Sequence, residues 1–220
     1  MLSARGLQVS IGAIDILRGV SLDIGEGEMV GLVGRNGAGK TTTLRALMGL
    51  VQLDAGELQF RGRDIRALTA NRRAMLGIGY MPEDRRLVPQ LTVEENVLMP
   101  AWAMRHLDSA ERLRRAYDLL PEVAAMRTRK SLLLSGGQQK LVALARAIVA
   151  GTDLLLLDEP FEGVAPALSQ RLSEVIRALR GEKLAVLIAQ SDANHSSRVL
   201  DRLYTVERGA STESIAVAAG

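Results

Sequence analysis

The chain has 220 residues, 47% of them hydrophobic and 24% charged, with a net charge of +3 and a pI near 9.6. That length suits one domain with room for a small subdomain, the apolar share is ample for a core, and the charged share is ordinary for a globular protein. Cysteine is absent, which excludes disulfides and thiolate-bound metals, and the scattered arginines read as solvated faces with no nucleic-acid partner.

The opening Met1-Leu2-Ser3-Ala4-Arg5-Gly6 lacks the apolar core of a signal peptide. No stretch approaches the roughly 18 uncharged apolar residues of a membrane span, so a cytoplasmic location is expected, with any membrane role supplied by a partner. Leu7, Val9 and Ile11 alternate, and residues 14–17 and 20–24 follow as short apolar segments punctuated by Gly12, Gly19, Gly25 and Gly27. These predict three short strands of an antiparallel sheet with one wet face.

Residues 29–33 form an apolar run that leads into Gly34-Arg35-Asn36-Gly37-Ala38-Gly39-Lys40-Thr41-Thr42, and helical spacing follows at Leu44, Leu47 and Met48. Gly, four residues, Gly, Lys and Thr between a strand and a helix is the phosphate-binding loop pattern. Glycines let backbone N–H groups turn inward around a polyphosphate, and the helix N-terminus adds attraction. Lys40 is placed to reach the β- and γ-phosphates, and the Thr41 hydroxyl to ligate Mg²⁺. Taken alone, the loop predicts ATP or GTP binding.

Leu58-Gln59-Phe60 reads as a strand, and Ile78-Gly79-Tyr80-Met81 as a buried one leading into the polar loop Pro82-Glu83-Asp84-Arg85-Arg86. Thr92 with Glu95 forms a capping box, and the pattern stays helical to about residue 130, with new helix starts at Asp108 and Pro121. Leu134-Ser135-Gly136-Gly137-Gln138-Gln139-Lys140 then precedes a helix over 141–150. Ser135 caps that helix while two glycines leave its N–H groups exposed, making a second anion site. Two copies arranged head to tail would use both sites, each closing on the other's nucleotide.

The last third is richer in continuous apolar runs, at 154–157 and 184–189, as expected of parallel strands buried on both faces. Helical spacing over 166–180 separates them, which indicates a parallel α/β core. The first run delivers Asp158-Glu159-Pro160 at its tip. Asp158 would hold Mg²⁺, and Glu159 would polarise the attacking water as general base. Residues 203–206 read as one further strand, and the tail from Gly209 as loosely ordered.

Phosphate loop, Leu-Ser-Gly-Gly-Gln and Asp-Glu-Pro, in this order, resemble the ATPase subunits of ATP-binding-cassette (ABC) transporters over nearly the whole chain. The resemblance implies an α/β fold: a phosphate-loop NTPase core with a mainly parallel sheet, an N-terminal antiparallel β subdomain and an inserted helical subdomain at about 92–150. The domain would span 1–209, with a short tail at 210–220. It also implies ATP with Mg²⁺, a second ABC ATPase subunit (identical or not) whose site is completed by Ser135, Gly136, Gly137 and Gln138, and transmembrane permease subunits on the inner face of the membrane. Segments 34–50, 77–96 and 158–166 look most like the smaller ATPase subunit of branched-chain amino acid importers, which work with a solute-binding protein; importers of urea or short amides look similar.

Four positions depart from the family's usual pattern. Ile11 stands where an aromatic residue usually stacks on adenine, so weaker ATP binding is expected, tightened by Ile11→Tyr. Glu83 replaces the Gln that senses Mg²⁺ and the membrane subunit, a change common in the branched-chain type. Gln190 replaces the switch His and can donate a hydrogen bond to the γ-phosphate without carrying charge, which leaves a weakly catalytic, regulatory cassette in a heterodimer as the alternative reading. An Asp common after Asp-Glu-Pro is replaced around Ala165-Pro166. His106 and His195 read as surface or packing residues.

Overall fold

The computed structural model describes residues 1–104, 108–180, 182–192 and 199–215. His106 and His195 lie outside the described residues. A 10-stranded sheet runs β5 (Arg63–Asp64), β4 (Ala55–Phe60), β1 (Leu2–Ile11), β2 (Ile14–Ile24), β10 (Ala210–Ile215), β9 (Arg202–Glu207), β3 (Met29–Val33), β8 (Ala185–Gln190), β7 (Leu154–Asp158), β6 (Ile78–Met81). β1 pairs antiparallel with β2 and β4, whereas β9, β3, β8, β7 and β6 pair in parallel.

Burial on both faces explains the apolar runs. Leu155, Leu157, Val186 and Ile188 pack on one side with helices α6 (Gly136–Ala150) and α7 (Pro166–Arg180). Leu154, Leu156, Ala185 and Leu187 face the other way, toward α1 (Lys40–Met48) and the antiparallel strands. Alternate residues of a strand point to opposite faces, so a strand covered twice must be apolar throughout.

Between β6 and β7 the chain builds the helical insertion. α3 (Val93–Ala103) begins at the Thr92–Glu95 capping box, α4 (Ser109–Leu119) at Asp108, whose carboxylate accepts from the Ala110 and Glu111 N–H groups, and α5 (Pro121–Ala125) at Pro121; a short α2 (Ala70–Ala74) precedes β6. α6 starts at Gly136, five residues earlier than the apolar spacing predicts, because Ser135 and Gln138 cap it reciprocally.

Two expectations are corrected. Residues 14–24 form one strand, not two, because Gly19 continues the ladder and pairs with Ala210. The tail is ordered through Ile215 as β10, antiparallel to β9; the Ser21 N–H donates to Ser211 Oγ at 2.7 Å, and that hydroxyl donates to Ser21 O at 2.7 Å.

Candidate nucleotide site

The phosphate loop turns between β3 and α1 in little space. A Cβ on Gly34 would lie 2.3 Å from the Val206 carbonyl oxygen. Gly39 caps α1 at φ 112, and a Cβ there would meet Leu17 Cδ2 at 2.8 Å. Both positions therefore demand glycine, one for close approach and one for conformation as well.

Lys40 is 5% exposed and its ammonium is fully engaged. It donates to the carbonyls of Gly34 at 2.7 Å and Arg35 at 3.3 Å, and it pairs with Glu159 Oε1 at 3.1 Å. Thr41 donates to Asp158 Oδ1 at 3.1 Å, and the Tyr80 phenol donates to Asp158 Oδ2 at 3.3 Å. Burial pushes the Asp158 carboxyl up to about 6, with the negative charges of Glu83 and Glu159 adding to the rise and the Thr41 and Tyr80 hydroxyls opposing it.

β7 delivers Asp158 and Glu159, and β8 delivers Gln190 beside them. The Glu159 N–H donates to Ala189 O at 2.9 Å, and the residue sits at φ 47. A side chain rarely adopts that backbone region, and such strain concentrates at functional sites. Lys140, buried on α6, donates to the Glu159 carbonyl at 2.9 Å and to that of Glu162, which pins the turn after β7. Gln190 is 3% exposed, and its main-chain carbonyl accepts from the Gly34 N–H at 3.3 Å.

A cleft of about 450 Å³ opens over Asn36, Gly37, Gly39, Lys40, Thr41 and Thr42 and is closed off by Ile16, Glu83, Glu159 and Glu162. Gly34, Arg35 and Ala38 line a second depression of about 640 Å³ on the loop's other side, with Ser191 and Thr205. Ile11 lies away from both: it is 54% exposed at the tip of the β1–β2 hairpin, and Ile16 supplies the aliphatic wall. Ser135 and Gly136 are also outside the cleft, exposed at the N-terminus of α6, with Gly137 and Gln138 half-buried beside them.

Sequence reasoning missed Ser191, Tyr80, Lys140 and Ile16. Adjacency to Gln190 and Asp158's strand neighbour were the available signals for Ser191 and Tyr80. Ser191 donates its N–H to Glu159 Oε2 at 3.1 Å, and its hydroxyl lies 2.9 Å from Oε1.

Residues 17–162 match the ABC transporter family model. A probable ABC transporter ATP-binding protein of Azorhizobium caulinodans is 38% identical over 94% of this chain and 74% of that protein. BraG, a high-affinity branched-chain amino acid transport ATP-binding protein of Pseudomonas aeruginosa, is 34% identical over 95% of this chain and 90% of its own length. LptB, the lipopolysaccharide export system ATP-binding protein of Haemophilus influenzae, is 37% identical over 95% and 88%. A solved ATP-binding subunit of an ABC transporter superposes with a TM-score of 0.85 at 26% identity, covering 98% of this chain and 90% of that one. A dimeric cassette bound to ADP and Pi shares the fold with a TM-score of 0.86 at 24% identity. The chain belongs to the ABC transporter family as an ATP-binding subunit with ATPase activity.

Proposed function

We propose that this subunit powers the import of branched-chain or related amino acids, working on the inner face of the membrane with permease subunits, a second cassette and, indirectly, a solute-binding protein. The observation that carries the solute class is the similarity to BraG over 95% of this chain, together with Glu83 at its position. The comparable similarity to LptB supports a second reading, lipid export. Importers of urea or short amides are a third.

Within that cycle Lys40 and the loop N–H groups hold the phosphates. Thr41 and Asp158 present hard oxygen donors 3.1 Å apart in a buried pocket, a donor set that fits Mg²⁺, with Glu83 at the cleft's edge. The cation would neutralise charge on the phosphates. Glu159 accepts the proton of the attacking water at its carboxylate, and Gln190 offers an amide donor to the terminal phosphate. Ser135 and Gly137 complete the partner's site.

An apolar groove of about 460 Å³ supports permease docking. Leu50, Met75, Tyr80, Pro100, Ala103 and Met104 line it, where the helical insertion meets the core. Leu50 is 42% and Met75 52% exposed, an arrangement suited to a short amphipathic segment from a permease. Among the described residues no helix is long and apolar enough to cross a membrane.

Reconstitution with candidate permease subunits in membranes tests the reading. Turnover should rise when leucine-loaded solute-binding protein is added. Stimulation by urea, amides or lipid instead would replace the solute class, and no turnover after pairing with a second cassette would favour a regulatory role.

A further inference from the structure

The ammonium of Lys40 has three protons to donate, and three oxygens of this chain take them: Gly34 O, Arg35 O and Glu159 Oε1. A phosphate oxygen can therefore reach Lys40 only by displacing one of these acceptors. The two carbonyls belong to the loop that must itself embrace the phosphates. The Glu159 side chain is the acceptor able to swing away, and its charge makes it the strongest competitor of the three.

Ser191 holds that carboxylate in place. Its N–H reaches Oε2 at 3.1 Å and its hydroxyl lies 2.9 Å from Oε1, so both oxygens are gripped. The same hydroxyl lies 2.8 Å from Asn36 Oδ1. A hydroxyl has one proton, and the ionised carboxylate is the better acceptor; turning the Asn36 amide lets its N–H donate into the hydroxyl oxygen. A continuous chain then runs from the phosphate loop through Asn36, Ser191 and Glu159 back to Lys40.

We infer that Ser191 is a positioning residue that latches the Glu159 carboxylate onto Lys40, so that an incoming polyphosphate must displace Glu159 to bind and thereby frees it. The site is thus self-occupied. Binding the nucleotide and releasing the general base become one event, which keeps the base engaged until phosphate has arrived. This rests on Lys40 as phosphate ligand and Glu159 as base.

Equilibrium binding of ADP to the full chain tests the latch, because ADP needs Lys40 without a γ-phosphate to draw two subunits together. Ser191→Ala should bind ADP about 3- to 10-fold more tightly than wild type, the factor set by losing one net hydrogen bond from the competitor. Ser191→Thr keeps the hydroxyl and should restore wild-type affinity. Glu159→Gln removes the competing charge without touching Ser191 and should also tighten binding. A merely structural role for Ser191 predicts weaker binding, with no rescue pattern. Unchanged or weaker ADP binding in both Ser191→Ala and Glu159→Gln overturns the latch, and tightening in Glu159→Gln alone removes Ser191 from it. Failure of wild type to bind ADP at all would refute the phosphate-loop reading itself.

Discussion

Tyr80 touches two surfaces at once: its phenol donates to Asp158 Oδ2 at 3.3 Å while its ring lines the apolar groove beside Met75 and Pro100. β6 is the edge strand of the sheet and pairs with β7, so Tyr80 lies opposite Leu156, two residues before Asp158. A segment pressed into the groove would bear on a side chain bonded to the proposed Mg²⁺ ligand. Tyr80→Phe keeps the ring and removes the bond. A hydrogen bond to a charged group is worth about 1.5–3 kcal/mol, so the Mg²⁺ concentration for half-maximal ATPase should rise about tenfold or more. A magnesium titration at fixed ATP reads this directly; an unchanged midpoint would show that the phenol does not support Asp158.

Arg146 ties α6, the helix capped by Ser135, to the loop that contains Glu83. Its guanidinium donates to the carbonyls of Arg86 at 2.7 Å and Arg85 at 2.5 Å. Those two residues hold left-handed backbone conformations, φ 62 at Arg85 and φ 47 at Arg86, a strained arrangement that needs an external restraint. Arg146→Met should let the loop relax and displace Glu83 from the cleft. We expect kcat to fall by up to about a hundredfold, the scale of a misplaced active-site element, with a smaller effect on ATP affinity. Single-turnover and binding measurements on the same variant separate the two.

Much of this was legible before the structure. β7 and β8 lie in unbroken apolar runs because both faces are covered, and the phosphate loop, Ser135 cap and Asp158-Glu159 pair are contiguous motifs whose chemistry is written locally. What escaped were contacts between distant positions. The arginines read as solvated faces include Arg73, Arg112 and Arg146, which bind main-chain carbonyls inside the molecule. Arg112 reaches the end of α6 through Ile148, Val149 and Gly151. β10 was hidden for another reason. Ser211 and Glu213 make it polar, and its order comes from its ladder with β9 and the Ser211–Ser21 contact, neither of which leaves a local apolar pattern. Ile11 was chosen by its position in a motif, whereas the hairpin geometry puts Ile16 at the wall.

Arg73 carries a stability prediction. It is 2% exposed on α2, and burial lowers its pKa. One guanidinium nitrogen donates to Ala46 O at 2.7 Å and Leu47 O at 2.8 Å, carbonyls in the last turn of α1, of which Ala46 O also accepts from the Gly49 N–H at 3.1 Å; others reach Leu68 O and Arg66 O. Arg73→Met takes its donors away from four main-chain carbonyls, of which Ala46 O keeps the Gly49 N–H, at a cost of about 3 kcal/mol. For a chain of this size that corresponds to a fall in Tm of about 6–12 °C. Arg73→Lys should recover little, because a single ammonium cannot span the fork of acceptors. Calorimetry of the three proteins decides; a Lys variant as stable as wild type would show that charge alone suffices.

The base-binding end of the cleft can be assigned by a pair of truncations. Ile16 lines the cleft with the phosphate loop, whereas Ile11 is 54% exposed at the hairpin tip. Removing a wall against the purine forfeits apolar contact of about 1–2 kcal/mol. Ile16→Ala should therefore weaken ATP binding about 5- to 30-fold, and Ile11→Ala should change it less than about twofold. Ile11→Tyr adds a test of reach. If a tyrosine at the tip can fold over the base, stacking worth about 1–3 kcal/mol should tighten binding, and if the tip is too remote the affinity stays put. Titrations with ATP and with inorganic triphosphate separate wall from loop: the triphosphate should bind all three variants alike, since Lys40 and its loop are untouched.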